Sequence, residues 1–328
     1  MALPTIRRAS AAVAAVVLTG GLAVWATPAQ AAGTGVVSGR VTTTAGGPAA
    51  GIVVQISDFD TWEFVDLAFT ADDGTYSVGG IETDTYTVTF SGENAPTQYF
   101  DGKTDISEAD PVRVTNGQTT TVNDQLLPAG VISGRLVQST GEPLVGSWVS
   151  LSSDTGYSSY ASTDENGDYR SPVPVGTYRV SFQPMEDSYQ EQYVPGQISS
   201  DNAGAFPVTA GGQTRVDDTV LGVGSLSGRL TNDDGTPVRE ASVYVSPFQA
   251  NGSGANAETN GNGEFSVPKL LVGRYMAEFY VGERHQFFDG AVEWNDADPV
   301  TVTAGNTTRV TESMLPTGSI RVRALDAL

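Results

Sequence analysis

From about residue 35 the chain alternates apolar and polar positions with a period of two, and turn-forming residues break the alternation every few positions. Ile52, Val54 and Ile56 form one such run. Val149 with Leu151, and Ala241 with Val243 and Val245, form others. Period-two spacing places every second side chain on one face, which predicts strands buried on one side. No stretch after the first thirty residues carries the 3.6-residue period of an amphipathic helix. The chain is expected to be all-β.

The strands come in three copies. Ser38-Gly39-Arg40, Ser133-Gly134-Arg135 and Ser227-Gly228-Arg229 head three segments, with their glycines 95 and 94 residues apart. Each is followed by a Gly/Pro turn, an alternating strand, and then Thr-x-x-x-Gly-x-aromatic: Thr70 to Tyr76, Thr163 to Tyr169, Thr259 to Phe265. The glycines of that motif (Gly74, Gly167, Gly263) lie in Asp/Asn-rich turns, where positive φ is cheap only without a Cβ. Tyr86, Tyr178 and Tyr275 come next, each two residues after Asp84, Gly176 or Gly273. Asp tolerates the left-handed region, so Asp84 is expected to serve the same turn as the two glycines. Two closing strands complete each copy, at 111–114 and 119–127 in the first. About seven short strands with frequent turns predict a two-sheet sandwich. The expected modules are 35–129, 130–223 and 224–317, with residues 318–328 starting an incomplete fourth repeat. Connectors as short as Leu127-Pro128-Ala129-Gly130 imply a semi-rigid rod.

These motifs, Gly-Arg-Val/Leu, Gly-x-Pro, Thr-x-x-x-Gly-x-Tyr and Gly-x-Tyr-x-Val-x-Phe, resemble those of carboxypeptidase regulatory-like domains, over nearly all of residues 35–317. The resemblance implies three tandem seven-stranded β-sandwich modules of the transthyretin-like (prealbumin-like) group, similar in outline to starch-binding and collagen-adhesin B-type modules. Such modules serve as spacers, adhesin stalks and enzyme appendages, so the resemblance implies a fold and not an activity.

The first residues read as an export signal: Arg7 and Arg8, an apolar stretch from Ala11 to Val24, then Ala29-Gln30-Ala31. Residues 1–31 are expected to be removed by cleavage between Ala31 and Ala32, leaving no membrane segment and an extracellular product. Without Arg7 and Arg8, the 17 basic side chains fall to 15 against 38 acidic ones, a net charge of −23. That field repels nucleic acid. Cysteine is absent, so each exported module must be held by its own apolar core.

Catalytic chemistry finds little purchase. His285 is the only histidine, and it reads as a rim residue. Acidic residues are plentiful but fall in turns and on solvent faces, where no cleft raises their pKa. Asp164-Glu165-Asn166-Gly167-Asp168 spaces oxygen ligands like a calcium loop but has no acidic partner at the twelfth position, so an ordinary turn is expected and no metal or cofactor. The collagen-adhesin Lys–Asn crosslink is not expected either, because the second module has no lysine.

Aromatic residues that do not recur are the remaining signal. Trp148 falls on the face opposite Val149 and Leu151, where the sister modules have Val53 and Ser242. Tyr157 and Tyr160, on the next strand, are read as sharing that face. Flat rings on a strand face stack on pyranose sugars, so Trp148, Tyr157 and Tyr160 are the candidate carbohydrate-binding residues. Trp62 and Trp294 are further non-repeated rings near loops. The expected function is a non-catalytic extracellular spacer, adhesive or binding rod, with a polysaccharide, a cell-surface glycan or extracellular proteins as partners. The alternative is a carbohydrate-binding accessory protein of a polysaccharide-degrading, amylase-like system.

Overall fold

The structure, a computed structural model, describes residues 33–184 and 190–318. The expected export signal, its cleavage point at Ala31–Ala32, and residues 319–328 of the incomplete repeat lie outside these residues. Six sheets form three sandwiches in tandem, with almost no helix.

In the first sandwich the strands are β1 (Gly35–Thr42), β2 (Val53–Asp58), β3 (Phe64–Phe69), β4 (Thr75–Ile81), β5 (Asp84–Gly92), β6 (Ala95–Tyr99), β7 (Val112–Val114), β8 (Thr119–Thr121) and β9 (Asp124–Gln125). β6 and β7 lie along the same side of β5, and β8 and β9 both run beside β1, so nine segments fill seven strand positions. One sheet has the order β4-β1-β8, with β9 continuing the last position. The other is β3-β2-β5-β6, with β7 beside β5. All pairs are antiparallel except those joining the last strand to the first. A parallel pair needs a long crossover, and here the rest of the module is the crossover.

The second sandwich repeats this with β10 (Ala129–Val137), β11 (Trp148–Ser153), β12 (Ser158–Ser162), β13 (Asp168–Pro174) and β14 (Gly176–Phe182), followed by shorter closing strands. In the third, the last strand, Thr307–Ser313, is uninterrupted and pairs with Val223–Thr231 over its whole length. Each sandwich closes over a separate apolar core, centred on Phe90, Phe182 and Phe279.

The recurring residues all serve this backbone. A Cβ on Gly39, Gly134 or Gly228 would collide with the carbonyl oxygen of Val122, Val216 or Val310 on the last strand. The neighbouring arginine folds back, and the Nε groups of Arg40, Arg135 and Arg229 donate to the carbonyls of Asp73, Asn166 and Asn262 at 3.0, 2.9 and 3.1 Å. Those carbonyls belong to the turns whose glycines (Gly74, Gly167, Gly263) have φ near +80°. Thr70, Thr163 and Thr259 accept the backbone N–H groups of Ile52, Ser147 and Ala241, each at 2.9 Å.

The motif aromatic is a core residue with a polar tip. Tyr76 and Tyr169 each donate to the carbonyl of Val122 or Val216 at 2.7 Å, and burial pushes both hydroxyls well above the usual phenol range. Module 3 has Phe265 here and does without the bond. Tyr169→Phe is therefore expected to cost the second module only about 1 kcal/mol. That is a fall of roughly 4–8 °C in its melting temperature; a larger loss would mean that the hydroxyl, not the ring, holds the last strand.

One expectation about turns is corrected. Asp84, Gly176 and Gly273 do not have positive φ; the left-handed residues of that turn are Gly80 in module 1 and Lys269 in module 3. Gly273 is small for another reason. A Cβ there would stand 2.5 Å from Ile198 Cδ1 of module 2, which packs against the module 3 core.

The two junctions differ. Between modules 2 and 3, buried Gln190 accepts the Leu271 N–H at 2.9 Å and donates to the Tyr275 hydroxyl at 3.2 Å. Asp201 accepts both N–H groups of Asn251, backbone and side chain, at 2.9 Å. Those bonds hold the Asp201 carboxyl below its ordinary value. Between modules 1 and 2, Arg170 Nη1 donates to the Glu93 carbonyl at 2.6 Å and Nη2 bonds Asn94 Oδ1, while β6 lies against β13.

Candidate functional site

Because the recurring side chains are committed to the fold, the positions free to differ carry whatever distinguishes this chain. Most of the exposed rings among them lie on the outer faces of the four-position sheets.

On module 2, Trp148 and Tyr160 stand on one outer face. The β11–β12 register pairs Trp148 with Ser162 and Ser150 with Tyr160, which makes the two rings diagonal neighbours, 63% and 66% exposed. A cavity of about 320 Å³ opens beside Trp148, lined by Leu144, Val145, Ser147 and Gln183.

Tyr157 does not join them. It is only 6% exposed and packs edge-on against Tyr178 at a centroid distance of 6.4 Å. The reason is parity: residues three apart on an extended chain point to opposite faces, so Tyr157 and Tyr160 cannot share one. The Tyr157 ring is core, and burial pushes its hydroxyl above the usual phenol value.

Module 1 shows a run of exposed apolar side chains, unannounced by the repeat. Edge strand β3 turns Phe64, Leu67 and Phe69 outward, with Trp62 just before it. The sister positions of Phe69 are Ser162 and Glu258, so comparing copies at the residue before each motif threonine would have found it.

Phe69 and Tyr160 come together at the first junction. An open groove of about 510 Å³ is walled by Val53, Phe69, Ser91, Glu93 and Thr97 of module 1 and by Tyr157, Ser159, Tyr160 and Arg170 of module 2. The sisters of Arg170 are Ser77 and Ser266, so this clamp is particular to module 2.

Module 3 offers a smaller set. The Tyr280 ring stacks on His285 at 5.7 Å, and Glu278 Oε1 lies 3.9 Å from His285 Nε2. Partial burial, then the Glu278 carboxylate, pushes the Tyr280 hydroxyl up to about 12. Trp294 sits in a short 3₁₀ turn, partly exposed.

The calcium-like sequence is a turn in which Asp164 Oδ1 accepts the backbone N–H groups of Asn166 and Asp168 at 2.8 and 2.9 Å. Among the described residues no group of three or more His, Cys, Asp or Glu side chains is placed to hold a metal.

The recurring Gln-aromatic-x-x-Gly motif anchors its own loop. Gln98, Gln192 and Gln286 accept the N–H of Leu127, Leu221 and Leu315 in the connectors, at 2.8, 2.8 and 2.7 Å. Their amide groups donate to Gln125, Thr219 and Ser313 of the last strand. Burial raises the pKa of the neighbouring carboxyls, Asp124 and Glu312, which take backbone N–H groups from the loop.

The family model of the carboxypeptidase regulatory-like domain matches residues 36–127, 131–221 and 225–315. The chain belongs to this family. Each of its three carboxypeptidase regulatory-like domains covers one sandwich, from the first strand to the connector that its buried glutamine clamps. No curated protein matches the chain. Among solved structures, the TIE protein of Bacillus anthracis is 15% identical over 86% of this chain, with a TM-score of 0.24. The match takes in 50% of that protein, so this chain spans about half its length. The minor pilin GBS52 of Streptococcus agalactiae is 15% identical over 59% of this chain and 100% of its own, with a TM-score of 0.38. A streptococcal ancillary pilin is 14% identical over 87% and 100%, with a TM-score of 0.32. Scores this low carry no functional argument. Among the described residues, no helix of these regulatory-like domains is long and apolar enough to cross a membrane.

Proposed function

We propose that this chain is an exported, non-catalytic extracellular rod whose regulatory-like domains space and present binding faces. One observation carries the reading. The residues common to all three modules (the strand glycine, the folded-back arginine, the turn glycine, the buried glutamine) support backbone and core, while the exposed rings differ from module to module. A catalytic array would repeat its chemistry; here only the scaffold repeats. The signal-like start at Arg7 to Ala31 and the strongly acidic composition suit an exported, soluble product.

A second reading, a carbohydrate-binding accessory protein, is favoured by the paired exposure of Trp148 and Tyr160 on one outer face. Both readings meet in one experiment, co-sedimentation of the secreted chain with starch, cellulose, chitin and peptidoglycan, with Trp148→Ala alongside. Retention on one polymer, weakened in the variant, makes the rod a carbohydrate-binding protein. No retention leaves a spacer whose partners are proteins. Release of soluble sugar from any polymer would overturn the non-catalytic reading.

A further inference from the structure

We infer that the groove between modules 1 and 2 is a binding site for a short neutral oligosaccharide, seated against Phe69 and Tyr160. The inference rests on the carbohydrate-binding reading and gives it a place and a ligand class.

Four features of the groove point there. Its volume, about 510 Å³, lies in the ~300–1,000 Å³ range of small-ligand sites. Two of its walls are exposed rings from different modules, Phe69 at 64% and Tyr160 at 66%. Apolar ring faces left in water at a concave surface are suited to the C–H faces of a pyranose. The lining also holds hydroxyls and charged groups (Ser91, Thr97, Ser159, Glu93, Arg170) that can exchange hydrogen bonds with sugar hydroxyls. The walls are also fixed to one another. Arg170 is tied to Glu93 and Asn94 across the junction, and β6 lies against β13, so ligand entry need not order the two modules first.

Charge selects the class of sugar. Arg170 and Glu93 cancel formally within the groove, and the whole chain carries a net charge of −21. An acidic glycan would approach against that field with no net positive charge in the groove to receive it, and the Arg170 Nη groups are already engaged by the Glu93 carbonyl and the Asn94 amide oxygen. A neutral glycan pays no such penalty, and its binding should vary little with salt. The cavity of about 300 Å³ at the second junction differs in kind: the Arg274 guanidinium lies over its Phe248 ring at 4.7 Å, and among the described residues none of its lining rings is as exposed as Phe69 or Tyr160.

The test is isothermal titration of the full secreted chain with maltotriose, cellotriose and chitotriose, and with trigalacturonate as the acidic control. One neutral trimer is expected to bind and the acidic one not. Tyr160→Ala and Phe69→Ala should each weaken that binding about tenfold or more. Trp294→Ala, in module 3 and away from the groove, should leave it unchanged. All three side chains are exposed, so melting temperatures matching the parent will show that the variants fold. Binding by the acidic trimer, binding indifferent to both Tyr160 and Phe69, or no binding by any trimer would each overturn the groove assignment. Polymer retention sensitive to Trp148 with no trimer binding would overturn the groove while leaving the carbohydrate reading in place. Loss of polymer retention as well would remove both.

Discussion

Gly134→Ala is expected to lower the stability of the second module by about 3–5 kcal/mol, near the top of the range for single substitutions. The added methyl would occupy the space of the Val216 carbonyl oxygen, with the Tyr169 ring 2.9 Å away on the other side. Neither neighbour can step aside. The carbonyl belongs to the chain just after Gln213–Arg215, which is itself paired to β10, and the Tyr169 hydroxyl is bonded to that same carbonyl. In a domain of this size the loss amounts to a fall of about 15 °C or more in melting temperature. Calorimetry should show one of three module transitions displaced and the others nearly still. Gly79→Ala is the comparison. Gly79 has ordinary φ, and the nearest atom a Cβ there would meet is Val36 Cγ2 at 3.9 Å, so its effect should be small. Equal losses in the two variants would mean that strand propensity, not close approach, explains the recurring glycine.

The second large effect is expected for Gln286→Leu. The Gln286 side chain accepts the Leu315 N–H at 2.7 Å and donates to Glu312 Oε1 at 2.6 Å and to the Ser313 carbonyl at 3.0 Å. Leucine fills similar space but leaves these groups without that partner in a buried place, a loss of about 3 kcal/mol. The loss should depend on pH. Burial holds the Glu312 pKa above its ordinary 4.5, partly offset by donors from Asp289, Gln286 and Gly290. A carboxyl raised on folding favours the folded state most when protonated. Its contribution is therefore greatest below 4.5 and declines as pH rises through the folded-state value. Removing Gln286 raises that value further, so the decline should continue to higher pH in the variant. Thermal melts from pH 4 to 7 should show the gap between parent and variant widening as pH rises. Parallel curves would mean that Glu312 does not sense Gln286.

How far the sequence could be read is clearest at single residues. Period-two alternation placed Val149 and Leu151 inward and Trp148 outward, and the register bears this out, because a strand has only two faces. The same rule, applied to Tyr157 and Tyr160, separates them, because residues three apart on an extended chain face opposite ways. Three recurring glycines were legible as turn residues, but the glycines of Ser-Gly-Arg answer a long-range demand from a strand some 80 residues later, which no local pattern reveals. Gly273 likewise answers to Ile198 in another module. The groove was beyond reach for the same reason. Phe69 and Arg170 are unremarkable in their own modules and become a site only where two modules meet.

The parallel pairing of first and last strands has a mechanical consequence. The chain enters each module at the start of one strand and leaves at the far end of its neighbour, so tension along the molecule slides the two past each other. Every hydrogen bond between them is then loaded together, instead of one at a time as in peeling. Modules 1 and 2 interrupt this contact, with three residue pairs and then two, whereas module 3 carries seven in an unbroken row. Under load the third module is the strongest bead, and extension begins nearer the amino-terminal end.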